Sequence, residues 1–168
     1  MKREGESRML DKPTEDRLTE LFERLLAFYK KFLKLESEKF ADVSAGGLDR
    51  LDGRIRDEQA YLLKARGLEQ ERLALEEQAG CPGATFRELI PLFEPERRET
   101  AQKYYADLSS VIRELKETNR ECNRLTGVKL HQAKNILEKL QDNPELKAVY
   151  DSKIRAKTQA AGLFSKKV

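Results

Sequence analysis

From Ala101 to Leu140 the chain steps through Tyr105, Leu108, Ile112, Leu115, Asn119, Cys122, Thr126, Lys129, Ala133 and Ile136 in alternating strides of four and three. An unbroken stripe at 3.5-residue spacing is the seam of a helix that lies lengthwise against other helices. The helix that carries it reads from about Glu96 to Gln141, and at ~1.5 Å per residue it would span close to 70 Å. It must overhang its partners or bend, and Gly127 is the natural place for a bend. The seam turns polar at Asn119, with Asn123 one turn further on. Two explanations stand side by side. A seam asparagine can set the register between helices at a cost in stability, so that Asn119→Leu would raise the melting temperature. It can also be a group that recognises a partner.

The other helices follow from the same kind of pattern. The first begins near "KPTED" with Thr14 as N-cap. Its apolar face runs through Leu18, Leu21, Phe22, Leu25, Tyr29, Phe32 and Leu33 to Phe40 and Val43, and "SAGG" (44–47) ends it. Glu36 falls in that stripe four residues after Phe32. It is either a helix-edge carboxylate paired with a lysine or a buried hydrogen-bonding group reaching across the bundle. The second helix reads from Leu48 to about Ala79, with Leu51, Ile55, Gln59, Leu62, Leu68 and Leu73 towards its inner side. Two long helices joined by four residues form an antiparallel hairpin. Gly53 and Gly67 lie inside the second helix and cost about 1 kcal/mol each relative to Ala, which packing has to offset. After the break at "GCPG" (80–83), "TFRE" is a capping box that opens a short helix through about Leu92. Pro91 and Pro95 set the start of the third long helix.

These elements predict an all-α fold: an elongated antiparallel bundle of three long helices, a short helix between the second and third, and a flexible C-terminal tail. Residues 1–13 read as a disordered N-terminus and 14–141 as the bundle. Residues 142–168 read as a short amphipathic segment followed by a flexible basic tail. In that last part Leu146, Val149, Tyr150 and Ile154 form a narrow apolar stripe among Lys147, Lys153, Arg155 and Lys157. It either docks on its own bundle or waits for a partner's helix, ordering on arrival together with Ile136, Leu137 and Leu140. Beyond it, "AAGLFSKKV" has no capped helical pattern.

Composition excludes several functions. The 33 basic and 30 acidic residues are interspersed, whereas nucleic-acid binding wants a clustered basic face with aromatics among it. No apolar run is long enough to cross a membrane, and the N-terminus has no signal-peptide core, which suggests a cytoplasmic protein. His131 is the single histidine, and Val128 stands three residues before it, so no Glu-x-x-His metal pair can be built. Cys81 and Cys122 have neither disulfide-framework nor zinc spacing and read as inert small residues. No nucleotide loop or nucleophilic triad is present, and the chain is not expected to be an enzyme or to hold a cofactor.

Three stretches resemble one family. The run "LESEKFADVSAGGLDRLDGRIRDEQAYLLKARGLEQERLALEEQAG" is similar to the front half of FlgN-type flagellar export chaperones, with a Glu-x-x-Arg pattern at Glu69 and Arg72. "ELKETNRECNRL" resembles the family's third-helix motif, at Leu115, Asn119 and Asn123. "VYDSKIRAK" resembles its C-terminal Tyr-Asp and basic stretch, at Tyr150 and Asp151. The resemblance covers most of residues 18–155. It implies a cytoplasmic chaperone of flagellar type III secretion that holds hook-filament junction (hook-associated) proteins, with the export apparatus as a further partner. Asn119, Asn123, Ile136, Leu137, Leu140, Leu146, Val149, Tyr150 and Ile154 are the candidate partner-binding residues. The competing reading is a coiled-coil scaffold that uses the same stripe for self-assembly into a homo-oligomer.

Overall fold

A computed structural model describes residues 9–165, without the side chains of residue 48 and residues 157–165. Residues 1–8 of the expected disordered segment and 166–168 of the expected tail lie outside the described residues. The order of elements is α1 (Lys12–Ser44), α2 (Leu51–Gln78), α3 (Phe86–Leu89), α4 (Pro95–Gln141) and α5 (Pro144–Ser165), with 3₁₀ turns before α2 and after α3. No strand occurs among the described residues. The fold is therefore all-α, with three long helices and a short one between the second and third. The chain divides into two compact units, residues 1–123 and 124–168.

In the first unit, α1 starts two residues before the expected Thr14. Asp11 supplies the cap, its carboxylate accepting the Thr14 N–H at 3.2 Å, and Pro13 sits in the first turn, where a missing N–H costs nothing. Just ahead of it Leu10 is buried, and its N–H donates to the Leu92 carbonyl at 2.8 Å. Gly46, with φ 74°, provides the left-handed turn that closes α1. The Thr85–Glu88 capping box forms as expected and opens α3.

Side-chain bonds fix the helix directions. Between α1 and α2, Arg24 pairs with Glu71 at 2.6 Å, Lys39 with Glu58 at 2.7 Å and Arg54 with Asp42 at 3.0 Å. Residue numbers rise on one helix as they fall on the other, so the pair is antiparallel. Between α1 and α4, Arg97 pairs with Asp16 at 2.5 Å, the Tyr104 hydroxyl donates to Glu23 at 2.6 Å and Asn119 to Glu36 at 3.0 Å. Here the numbers rise together, so α4 runs parallel to α1 and antiparallel to α2.

Within this up-down-up arrangement the core is built from Leu18, Leu21, Phe22 and Leu25 of α1, Leu68 and Leu75 of α2, and Leu108 and Leu115 of α4. Leu89, Ile90 and Phe93 close one end. Rings meet at two levels: the Phe22 centroid lies 4.3 Å from that of Phe86, and that of Tyr61 lies 5.5 Å and 5.2 Å from those of Phe28 and Phe32.

The inward face of α2 differs from the sequence expectation. Leu68 is buried, but Ile55, Gln59, Leu62 and Leu73 are exposed. The buried or half-buried line runs instead through Arg54, Glu58, Tyr61, Ala65, Leu68, Arg72, Leu75 and Ala79. Charged residues interrupt that line and disguise it as a surface. Each has a partner: Glu58 meets Lys39, Arg54 meets Asp42 and Glu38, and Arg72 meets Glu69 and Glu76. On α1, Phe40 is likewise exposed, while Phe28 and Leu35 are buried.

In the second unit, Asn143 caps α5, its side-chain oxygen accepting the Leu146 N–H at 3.2 Å, and Pro144 takes the first helical position. The helix continues to Ser165, past the point at which the amphipathic pattern in the sequence gives out.

Candidate partner-binding surfaces

Half-buried Asn119 of the α4 seam borders a layer of charge inside the bundle, with exposed Asn123 beyond it. Glu36 is fully buried on α1, one turn before Lys39, which is also buried. The Lys39 ammonium donates to Glu36 Oε1 at 3.0 Å and to Glu58 Oε2 of α2 at 2.7 Å. Asn119 of α4 completes the layer. Its Nδ2 donates to Glu36 Oε2 at 3.0 Å and reaches Glu58 Oε1 at 3.4 Å, while its Oδ1 accepts from Asn123 at 3.1 Å. Glu36 is therefore the buried group that reaches across the bundle and not a helix-edge carboxylate, although it also has a lysine partner. Burial works against the Lys39 ammonium. Its hydrogen bonds to Glu58 and Glu36 outweigh that and hold its pKa above the ordinary lysine value.

Of the two explanations for Asn119, the geometry matches the first. Its carboxamide engages one carboxylate from each of the other two helices, so a slip of α4 by one turn would take a donor from buried Glu36 and leave it to Lys39 alone. Lys39 and Glu58 were missed as members of the site. The signal for Lys39 was its place one turn beyond Glu36. Glu58 carried none, because the inner line of α2 was misread.

A second charged cluster holds the end of α2 against the following loop. Arg72 pairs with Glu69 at 2.7 Å and with buried Glu76, lies 5.7 Å from the Phe86 ring centre and reaches the Ala84 carbonyl at 3.4 Å. Its hydrogen bond holds the Glu69 carboxyl below the usual range, whereas burial pushes Glu76 above it against the pull of Arg72.

Beside the Asn119 layer, a groove of about 550 Å³ opens between α2 and α4 with α1 at its base. Phe32, Leu62 and Leu115 give it apolar walls, and Lys116 and Arg120 stand on its α4 side.

The remaining candidates lie in the second unit. Ile136 and Leu137 are exposed on α4, at 43% and 56%, and Leu146, Val149, Tyr150 and Ile154 are exposed along α5. Leu140, at 6%, is turned away from solvent. The nine expected residues thus fall into two sets: the asparagines at the charged layer of one unit, and the apolar residues in the other.

Among the described residues, no cluster of His, Cys, Asp and Glu is placed to hold a metal, and no helix is long and apolar enough to cross a membrane. No curated protein and no solved structure matches this chain. The family model described as FlgN protein matches residues 9–158, nearly the whole of it. With that match, the chain belongs to the FlgN family, flagellar export chaperones that bind export substrates.

Proposed function

We propose that the protein holds hook-filament junction proteins in the cytoplasm before export, and that the exposed apolar residues of its C-terminal unit are the surface that grips them. The observation that carries this reading is the stripe Leu146, Val149, Tyr150 and Ile154 on α5, uncovered along its length, together with exposed Ile136 and Leu137. A soluble chain gains nothing by leaving such a stripe in water, and amphipathic helices of this kind seat partner helices through anchors three, four and seven residues apart. Basic Lys147, Lys153 and Arg155 flank the stripe and favour a client helix with acidic edges. Asn119 and Asn123 act on this reading through the fold, because their bonds are made within the bundle. Delivery to the export apparatus is a later step for the same complex.

The test is truncation after Gln141, followed by co-expression with a hook-filament junction protein. The shortened chain should keep the melting temperature of residues 1–123 and yield no soluble complex. Recovery of the complex at full affinity would place the client site elsewhere. A stable higher oligomer of the full chain that captures no junction protein would favour a self-assembling scaffold.

A further inference from the structure

Helix α2 carries two apolar stripes, and the bundle uses one. At about 100° per residue, the packed line through Tyr61, Ala65, Leu68 and Leu75 lies roughly 110° from a second line through Ile55, Leu62 and Leu73. The residues of the second line are 40%, 49% and 38% exposed, and Leu63 beside it is 70% exposed. They are the residues whose spacing in the sequence reads as core. A helix apolar on two faces is built to meet two neighbours. The α2–α4 groove begins at this line, because Leu62 forms part of its wall.

Charge identifies what could cover it. Arg66 falls in the line between Leu62 and Leu73, and Lys116 stands across the groove. Neither has an ion-pair partner among the described residues. Arg120 adds a third cation, whose ion pair among the described residues is with its exposed neighbour Glu117 at 2.5 Å. The groove's carboxylates, Glu36 and Glu58, are already engaged by Lys39 and Asn119. A second copy fits poorly. Ile55, Leu62, Arg66 and Leu73 are spaced symmetrically about residue 64, so an antiparallel copy would set Ile55 against Leu73 but Leu62 against the arginine of its mate. It would also set Arg66 within about 6 Å, along the axis, of the same arginine in its mate. We infer that this face docks an amphipathic helix of another protein, one with aliphatic anchors for Ile55, Leu62 and Leu73 and carboxylates along the edge that meets Arg66 and Lys116. The surface lies wholly in the N-terminal unit and is separate from the stripe on α5.

Two synthetic helical peptides of about 20 residues test this, both with leucines spaced as Ile55, Leu62 and Leu73 are. One carries glutamates along the flanking edge, the other lysines at the same positions. Binding to the full chain is read by fluorescence anisotropy, and its location by amide-exchange protection on α2. The acidic peptide should bind, protect residues 55–73, and weaken about tenfold with Leu62→Glu. Arg66→Glu, at an exposed position, should reverse the preference towards the lysine peptide. Leu146→Glu in the other unit should leave binding unchanged. Equal affinity for the two peptides, no binding of either, or affinity indifferent to Leu62→Glu would overturn the inference. So would a wild-type dimer in sedimentation that Leu62→Glu separates into monomers.

Discussion

The Nδ2 of Asn119 donates to Glu36 Oε2 at 3.0 Å, joining residues 83 apart in sequence across the interior of the bundle. This single bond reverses an expectation drawn from the seam alone. In an apolar seam a leucine would stabilise, but here it would take a donor from a carboxylate that has no access to solvent. Asn119→Leu should therefore lower stability by about 1–3 kcal/mol. The measurement is chemical denaturation at neutral pH, with Asn119→Ser as a variant that keeps a shorter donor. A double-mutant cycle with Glu36→Gln should show coupling of about 0.5–3 kcal/mol. A rise in stability for Asn119→Leu would mean that the Lys39 ammonium alone satisfies Glu36.

The same layer predicts an alkaline signature. Lys39 has its pKa raised above 10.5 in the folded chain, despite burial, by hydrogen bonds to Glu58 and Glu36. A group with a raised folded pKa contributes stability that is fully present below its unfolded value. That contribution is lost as the pH climbs through the folded value. The stability gap between the wild type and Lys39→Met should therefore be constant from neutral pH to about pH 10 and shrink above it. Thermal melts at stepped alkaline pH check this, because the remaining lysines and the tyrosines titrate in both proteins and cancel in the difference. A gap that stays constant to the highest pH would show that the ammonium is not what the layer depends on.

How legible the fold was depended on where its charges went. The caps, breaks and long seam of α4 are local signals, and they placed the helices to within a few residues. The starts of α1 and α2 shifted by a few residues, α1 because Asp11 caps it one turn earlier by accepting from Thr14, and α2 because residues 48–50 form a 3₁₀ turn. The facing of α2 was not legible. Its buried line passes through Arg54, Glu58 and Arg72, whose burial is tolerable only because Asp42, Lys39 and Glu76 wait on other turns and helices. A search for apolar periodicity selects Ile55, Leu62 and Leu73 in preference, and no rule of spacing could have said that those three face water. Glu36 could be read as part of the interior. So could Asn119, but not as its partner, since the pairing exists only once α1 and α4 lie side by side.

Glu15 makes another such pairing, between the starts of α1 and α4. It is fully buried, and its Oε1 accepts the Glu94 N–H immediately before α4, with Arg97 at 3.5 Å from its Oε2. A carboxylate at that place satisfies a donor at the helix start and complements the positive end of the helix dipole. Glu15→Ala should cost about 2 kcal/mol, and Glu15→Gln about half of that, since the amide still accepts but carries no charge. Denaturation with urea would measure both. Equal losses would assign the effect to packing.

Gly53 and Gly67 test the opposite sign. A Cβ at either position meets nothing within 4 Å, so no close approach requires glycine. Alanine would remove backbone freedom from the unfolded chain at no steric cost. Each of Gly53→Ala and Gly67→Ala should stabilise by about 0.5–1 kcal/mol, additively, given their separation of almost four turns. A loss of stability at either would mean that α2 is bent there more sharply than its hydrogen bonding suggests.

The client surface can be separated from the fold by charge substitution on α5. Leu146 and Val149 are 52% and 55% exposed, so glutamate at either site leaves no cavity and buries no charge. The effect on stability should stay within about 0.5 kcal/mol, as it does for ordinary surface changes. If these side chains seat an apolar client helix, the same glutamates must be desolvated in the complex. Affinity should then fall by about tenfold or more for Leu146→Glu, and further for the double variant with Val149→Glu. Titration of a hook-filament junction protein into each variant reads the affinity, and a melt of the free variant reads the fold. Phe40→Glu, on α1, serves as the control, since it places the same charge on an exposed apolar residue outside both the C-terminal unit and the exposed face of α2. Binding that weakens equally for Phe40→Glu and Leu146→Glu would mean that added negative charge anywhere repels the client, and α5 would lose its claim to the contact.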